Sequence, residues 1–148
     1  MSQPQGIFAS QSDIEDQFGA VNVAIWSNLD NVATSGGAPT ANAQRIQAAL
    51  DWGDATINDT FLVLGNYTTP LSPEGTAAVL CRRWAAILAG SWLYLSRGLR
   101  DGDQQGNHLK TMQDQVMAAM KQHRSHEKLD AARRWPTATA PVGYEPRA

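Results

Sequence analysis

The sequence predicts an all-α protein: a small bundle of about four to five helices with a long C-terminal helix and an extended C-terminal tail. Apolar residues recur at the three- and four-residue spacings of a helical face, and residues that start and stop helices bracket these stretches. A length of 148 residues fits one domain with a modest core. We therefore expect a helical domain over residues 1–135 and a tail over residues 136–148.

Two short helices are predicted near the N-terminus. The sequence Ser12-Asp13-Ile14-Glu15 matches a capping box, in which the serine and glutamate side chains satisfy backbone N–H groups at the helix start. This helix is expected to end near Phe18, with Gly19 as its stop. An apolar cluster over residues 20–29 predicts a second short helix. A glycine-rich loop is expected to follow it up to Pro39.

A long amphipathic helix is predicted over residues 43–64. Its small and apolar residues are spaced 3, 4, 3, 4, 4 and 3 apart, so they share one face. They are Ala43, Ile46, Leu50, Gly53, Ile57, Phe61 and Leu64. The acidic residues Asp51, Asp54 and Asp59 fall outside this face.

A third long segment, residues 73–97, is apolar nearly all round. Its start is predicted at Ser72-Pro73-Glu74, which supplies a cap, a proline at the first position and an acid in the first turn. A helix with so little polar surface is either the centre of its domain or is covered by another subunit, and both interpretations stay open. Arg82 and Arg83 interrupt the apolar surface and would need partners if they were covered.

The last helix is expected to begin near Asn107. Its apolar seam consists of Leu109, Met112, Val116, Ala119 and Met120. Because glycine and proline are absent from residues 121–134, the helix is predicted to continue to Trp135, a length of about 43 Å at 1.5 Å per residue. A domain of this size has a radius of gyration of only about 15 Å. The helix therefore either breaks or projects beyond its own core.

The charge is divided unevenly along the chain. Residues 1–81 hold one basic and eight acidic residues, a net charge of −7, whereas residues 82–148 hold eleven basic and six acidic residues, a net charge of +5. The two halves can cancel each other within one fold, or the negative side of one copy can meet the positive side of the next. The overall charge of -2 argues against broad nucleic-acid binding.

Residues that could carry chemistry are few, and we expect no enzyme, no cofactor and no metal. His123 and His126 could seed a metal site, but they lie in a basic stretch and are expected to be solvated. The sequence Asp101-x-Asp103-x-Gln105-Gly106 resembles half of a calcium loop without its later glutamate, which favours an ordinary turn. Cys81 is the sole cysteine, which excludes an internal disulfide, and its apolar neighbours predict a buried, inert thiol.

No membrane partner is expected either. The N-terminal residues lack the basic and apolar regions of a secretory signal. The longest strongly apolar uncharged run, residues 84–95, is far shorter than the roughly 20 residues of a membrane span.

The basic end of the last helix is the main candidate surface. It contains Lys121, Arg124, Lys128, Arg133 and Arg134, with Trp135 beside them. Such a patch can contact DNA phosphates, or it can be an ordinary solvated helix face. In the tail, Trp135 and Tyr144 are the aromatic residues best suited to anchor the chain on a partner.

Taken in order, the elements are a short capped helix ending at Phe18-Gly19, an amphipathic helix over residues 43–64, the motif Tyr67-x-x-Pro70-Leu71, an apolar helix and a final amphipathic helix. This order resembles the small head–tail connector proteins of tailed phages, the adaptor or head-completion family of Mu-like prophages and related long-tailed phages. The resemblance covers roughly residues 8–128. The glycine-rich loop at residues 35–39 and the extension past Lys128 depart from the family pattern.

The resemblance implies a structural virion protein of the head–tail interface, assembled in the host cytoplasm and without enzymatic activity. Members of the family form a ring, commonly of about twelve copies, beneath the portal protein. The ring extends the channel through which DNA passes as cargo, and a stopper or tail-completion protein docks on it.

On this interpretation the basic and aromatic residues become interface candidates. Those expected to contact a neighbouring subunit or the portal are Arg124, Lys128, Arg133, Arg134, Trp135 and Tyr144. Neighbouring copies are expected to pack the acidic surface of residues 43–64 near the basic residues of the last helix. The alternative function is that of a phage-encoded helical regulator that binds a protein or DNA.

Overall fold

The computed structural model describes residues 2–28, 40–64, 67, 69–97 and 102–122. Within them the predicted all-α fold is confirmed, since 75% of these residues are helical and none lies in a strand. The helices are α1 (Gln11–Phe18), α2 (Ala20–Ser27), α3 (Ala43–Leu64), α4 (Thr76–Leu95) and α5 (Gln104–Gln122). The predicted helical continuation to Trp135 and the predicted tail lie outside the described residues, as does the predicted loop at residues 31–39.

The start of α1 differs from the prediction, whereas its end agrees with it. Both the N–H and the hydroxyl of Ser10 donate hydrogen bonds to the Asp13 carboxylate, at 2.7 and 3.0 Å. The helix therefore begins at Gln11, and the capping box predicted at Ser12 is wrong. Gly19 ends α1 with a φ of 92°, a left-handed conformation that glycine adopts without steric cost.

The helix α4 forms the centre of the bundle. It contacts each of the other four helices, and all of residues 84–91 are buried. This confirms that the apolar segment is a central core helix, and Arg82 and Arg83 lie exposed just before the covered stretch. The helix begins at Thr76 rather than at the predicted Pro73, because Gly75 has a φ of 59° that no right-handed helix accommodates.

The helices α3 and α4 pack along the face that the spacing predicts. Phe61 of α3 lies at 4.8 Å from Tyr67 and 6.1 Å from Trp84, measured between ring centroids. Tyr67 and Leu71 of the connecting motif are buried, and the Leu71 N–H donates to the Asn58 side chain at 2.8 Å. The connection thus closes one end of the helix pair.

The helices α1 and α3 meet opposite faces of α4. Gly53 of α3 packs against Ala85 and Leu88, whereas the Phe18 ring of α1 covers Gly90. Successive residues of a helix are about 100° apart around its axis. Gly90 therefore lies about 140° from Ala85 and about 160° from Leu88 (at about 100° per residue). The helix α5 packs beside both long helices, and its Leu109, Val116 and Met120 are buried, as the predicted seam requires. Among the described helices, none combines the length and hydropathy of a membrane-crossing segment.

Candidate interaction surfaces

The interface residues predicted from the sequence all follow the end of α5. Outside the described residues lie Arg124, Lys128, Arg133, Arg134, Trp135 and Tyr144, together with His123 and His126. Lys121 is the one member of the basic cluster within the described part of the chain, and it is exposed. The contacts predicted for the cluster and for the two aromatic residues therefore stay predictions.

In the described part of the chain, the residues that were candidates for a reactive thiol or a metal site have structural roles. Cys81 is buried, as predicted, and this burial raises the pKa of its thiol to about 12, so the thiol is protonated at neutral pH. Asp103 accepts hydrogen bonds from the Tyr94 hydroxyl at 2.8 Å and from the Gly106 N–H at 2.9 Å, which fixes the start of α5. Within the described ranges, no group of three or more acidic, histidine or cysteine side chains could hold a metal ion.

A groove lies where the N-terminal segment crosses α3. It encloses about 480 Å³ and is lined by Gln5, Gly6, Ile7, Asp51, Asp54, Ala55 and Asn58. Ile7 is 66% exposed and gives this groove an apolar rim, while Asp51 is exposed and gives it a charged one. The groove can therefore accept a partner that brings both apolar and basic groups.

Hydrogen bonds to α3 hold the N-terminal segment that forms one wall of the groove. The Asp54 carboxylate accepts the N–H groups of Ile7, at 2.7 Å, and Phe8, at 3.3 Å. The Gln47 side-chain amide exchanges two hydrogen bonds with the backbone of Gln5, at 3.2 and 3.0 Å. Phe8 is itself buried, so the segment is an integral part of the bundle.

Asp54 is buried although the sequence places it outside the apolar face of α3. Only 6% of it is exposed, because the N-terminal segment lies over it. This burial raises the pKa of Asp54, and the nearby charge of Asp51 adds to the effect, while the hydrogen bonds from Ile7 and Phe8 act in the opposite direction. The only basic residue of α3 is Arg45, which stacks on Trp92 at 5.0 Å from the ring centroid and donates a hydrogen bond to Ser96.

We expect the raised pKa of Asp54 to make stability depend on pH. The folded state holds the Asp54 proton more tightly than the unfolded state, so the contribution is full below the unfolded pKa of about 3.8 and is lost as pH rises through the folded value. The stability of the wild type relative to Asp54→Asn should therefore fall as the pH rises from about 3.5 to 7. Urea unfolding of both proteins at each pH measures this difference. A difference that is constant or that grows with pH would contradict the assignment.

A pair of arginines on α4 forms the second charged surface. Arg82 and Arg83 are exposed beside Val79, which is 58% exposed. They share a shallow groove of about 210 Å³ with Asp13 and Asp16 of α1. Neither arginine forms an ion pair with a described residue. Both guanidinium groups are therefore available to a partner.

The two surfaces lie on opposite sides of the bundle. Val79, Arg83 and Gly90 are spaced four and seven residues apart, so they share the face of α4 that meets α1. The acidic groove lies on the outer side of α3, beyond the opposite face of α4. In the sequence Arg82 and Arg83 stand out only as interruptions of an apolar stretch. Their position beside Val79, in the first turns of the helix, is the signal that could have identified an exposed surface.

Comparison of the chain with known protein families, with curated proteins and with solved structures finds no match. The resemblance to phage head–tail connector proteins therefore depends on the residues and on the order of the helices. Within the described residues, that order is the one set out from the sequence, from α1 to α5.

Proposed function

We propose that this chain is a structural protein of a tailed-phage virion, a head–tail adaptor. Its copies form a ring beneath the portal, extend the DNA channel and receive the stopper or tail-completion protein. DNA passes through the ring only as cargo. The chain performs no catalytic step in this role.

The order of the elements is the observation that carries the proposal. A short helix ends at Gly19, the long amphipathic α3 follows, and the buried Tyr67 and Leu71 precede the central α4 and the amphipathic α5. This order matches the pattern through which the sequence resembles the connector family.

The two charged surfaces offer a physical route to a ring. A contact between different surfaces on opposite sides of a subunit is heterologous, and such contacts close into a ring when the rotation between subunits allows it. The burial of α4 by its own bundle removes one sequence argument for assembly, since no second subunit is needed to cover Trp84. The support for assembly therefore comes from surface charge and from the predicted anchoring roles of Trp135 and Tyr144.

Purified virions of the phage that encodes this chain test the proposal. We expect quantitative mass spectrometry to find the chain in the particles at a copy number close to that of the portal protein, because each portal vertex would hold one ring. An abundant non-virion protein from the same lysate serves as the control for contamination. Absence of the chain from purified particles would contradict the adaptor role and favour the helical regulator.

A further inference from the structure

We infer that the arginine surface of one copy docks on the acidic face of a second copy of this chain. The arginine surface consists of Val79, Arg82 and Arg83 on α4. The acidic face consists of Asp51 and Asp59 on α3, with Ile7 at the rim of the groove. This inference rests on the proposed ring and names the contact that would build it.

Charge complementarity is the first reason for this pairing. Arg82 and Arg83 are exposed, and neither forms an ion pair with Asp13 or Asp16, the two carboxylates of α1 that line the same groove. Asp51 and Asp59 are exposed on the outer side of α3, and among the described residues Asp51 accepts a hydrogen bond only from the neutral side chain of Gln47, at 2.9 Å. Arginine binds carboxylates through two parallel hydrogen bonds, so Arg82 and Arg83 are suited to bind carboxylates of the acidic face.

Exposed apolar residues accompany the charges on both surfaces. Val79 lies beside the arginines, and Ile7 lies at the rim of the acidic groove. Burial of these side chains at a contact would add hydrophobic stabilisation in proportion to the apolar surface removed from water. Apolar centres bordered by charged groups are typical of specific protein–protein interfaces.

The placement of the two surfaces requires a second copy. Arg83 lies on the face of α4 that meets α1, whereas Asp51 lies on the outer side of α3, against the opposite face of α4. The bundle therefore separates the two surfaces within one chain, and they can meet only between chains. Each copy then keeps one free surface of each kind, which allows the contact to repeat around a ring.

The arginine surface extends from an ordered part of α4. Arg82 and Arg83 extend from a helix whose following turns are wholly buried, so their backbone is already ordered. Fixed groups lose less conformational entropy on binding than groups that become ordered at the contact. We therefore assign the acidic face to α4 of the neighbour, and the contact that the sequence suggested for Arg124 and Lys128 is a competing outcome of the test below.

Charge exchange in the full-length chain tests the inference. Sedimentation velocity would be measured in about 50 mM and about 500 mM salt, which changes the screening of exposed charges strongly. The wild type should self-associate more tightly at low salt, and R82E/R83E and D51R/D59R should each raise the dissociation constant by about tenfold or more. An equimolar mixture of the two variants, or one chain carrying all four substitutions, should recover association because both charge patterns are again complementary.

A matched control and a competing variant make the result specific. K110E reverses an exposed charge on α5 that belongs to neither surface and should leave association unchanged. Circular dichroism would verify that every variant is folded. The inference would be overturned by a wild type that does not associate at either salt concentration, or by unchanged association of R82E/R83E. It would equally be overturned if R124E/K128E weakened association while R82E/R83E did not.

The failure of this inference can be distinguished from failure of the proposed function. If the chain is present in virions but R82E/R83E leaves its association unchanged, the adaptor role is retained and this contact is refuted. If the chain is absent from virions but its association changes as expected with the charge exchange, this contact is supported and the adaptor role is refuted.

Discussion

Replacing Phe61 with alanine should lower the free energy of unfolding by about 3–5 kcal/mol. Phe61 is 0% exposed, and its ring contacts Tyr67 of the connection and Trp84 of α4. The substitution removes the apolar surface of the ring and leaves a cavity where three parts of the chain meet. Since domains of this size are typically stable by about 5–15 kcal/mol, the loss would be a large fraction of the total.

Urea unfolding followed by circular dichroism measures this effect, and the next residue along the helix supplies the control. Leu62 is 57% exposed, so Leu62→Ala should change the free energy of unfolding by only about 0.5 kcal/mol. Similar losses at positions 61 and 62 would show that the sides of α3 are assigned incorrectly.

The spacing of apolar residues was sufficient to predict α3 and the buried position of Phe61. A helix that packs along one face must repeat its apolar residues every three or four positions, and this local property is visible in the sequence. The same rule predicted the buried Leu109 and Val116 of α5. It did not predict the burial of Asp54, because the N-terminal segment that covers Asp54 lies 46–47 residues away in the chain.

The start of α1 shows a second limit of local patterns. Ser10 with Asp13 and Ser12 with Glu15 both place a serine three residues before an acid, so both fit the capping rule. In the structure the contacts of the preceding segment favour the earlier serine: the Gln11 N–H donates to the Pro4 carbonyl, and Phe8 is buried. Such contacts between distant residues cannot be read from a four-residue motif.

The candidate interaction surfaces, too, could be predicted only in part from the sequence. The spacing of apolar residues placed Asp51, Asp54 and Asp59 outside the apolar face of α3, and Asp51 and Asp59 are indeed exposed, whereas Asp54 is buried. The sequence could not show that Arg82 and Arg83 lie on the opposite side of the bundle, because this depends on how α1 and α3 are arranged around α4. The roles of Trp135 and Tyr144 stay predictions.

A bundle that completes its own core leaves its exposed charged and apolar side chains for the proposed assembly. Within one chain Trp84 of α4 is buried, and Trp92 and Tyr94 pack partly buried against the core, so a neighbouring copy need not complete the hydrophobic core. Contacts between exposed charges are screened by salt. The proposed contact between the arginine surface and the acidic face should therefore depend on ionic strength, whereas the stability of each subunit should depend mainly on packing.

Gly90→Ala should lower the free energy of unfolding by about 1–3 kcal/mol, through overpacking. A Cβ atom at position 90 would lie 2.1 Å from the Cε2 atom of the Phe18 ring, so this ring would have to move. Phe18 also packs against Trp26, with 5.5 Å between the ring centroids, and the displacement would reach α2. Elsewhere in a helix, replacing glycine with alanine stabilises by about 0.5–1 kcal/mol, so the expected sign is reversed here.

The Phe18→Ala background shows whether the Phe18 ring causes this reversal. Without the ring, Gly90→Ala should become neutral or stabilising, giving a coupling energy between the two sites of about 0.5–3 kcal/mol. Urea unfolding of the wild type, the two single variants and the double variant completes the cycle. A loss of the same size in both backgrounds would mean that α1 does not pack on α4 through Phe18, which would also remove the basis for placing the arginine surface and the acidic face on opposite sides of the bundle.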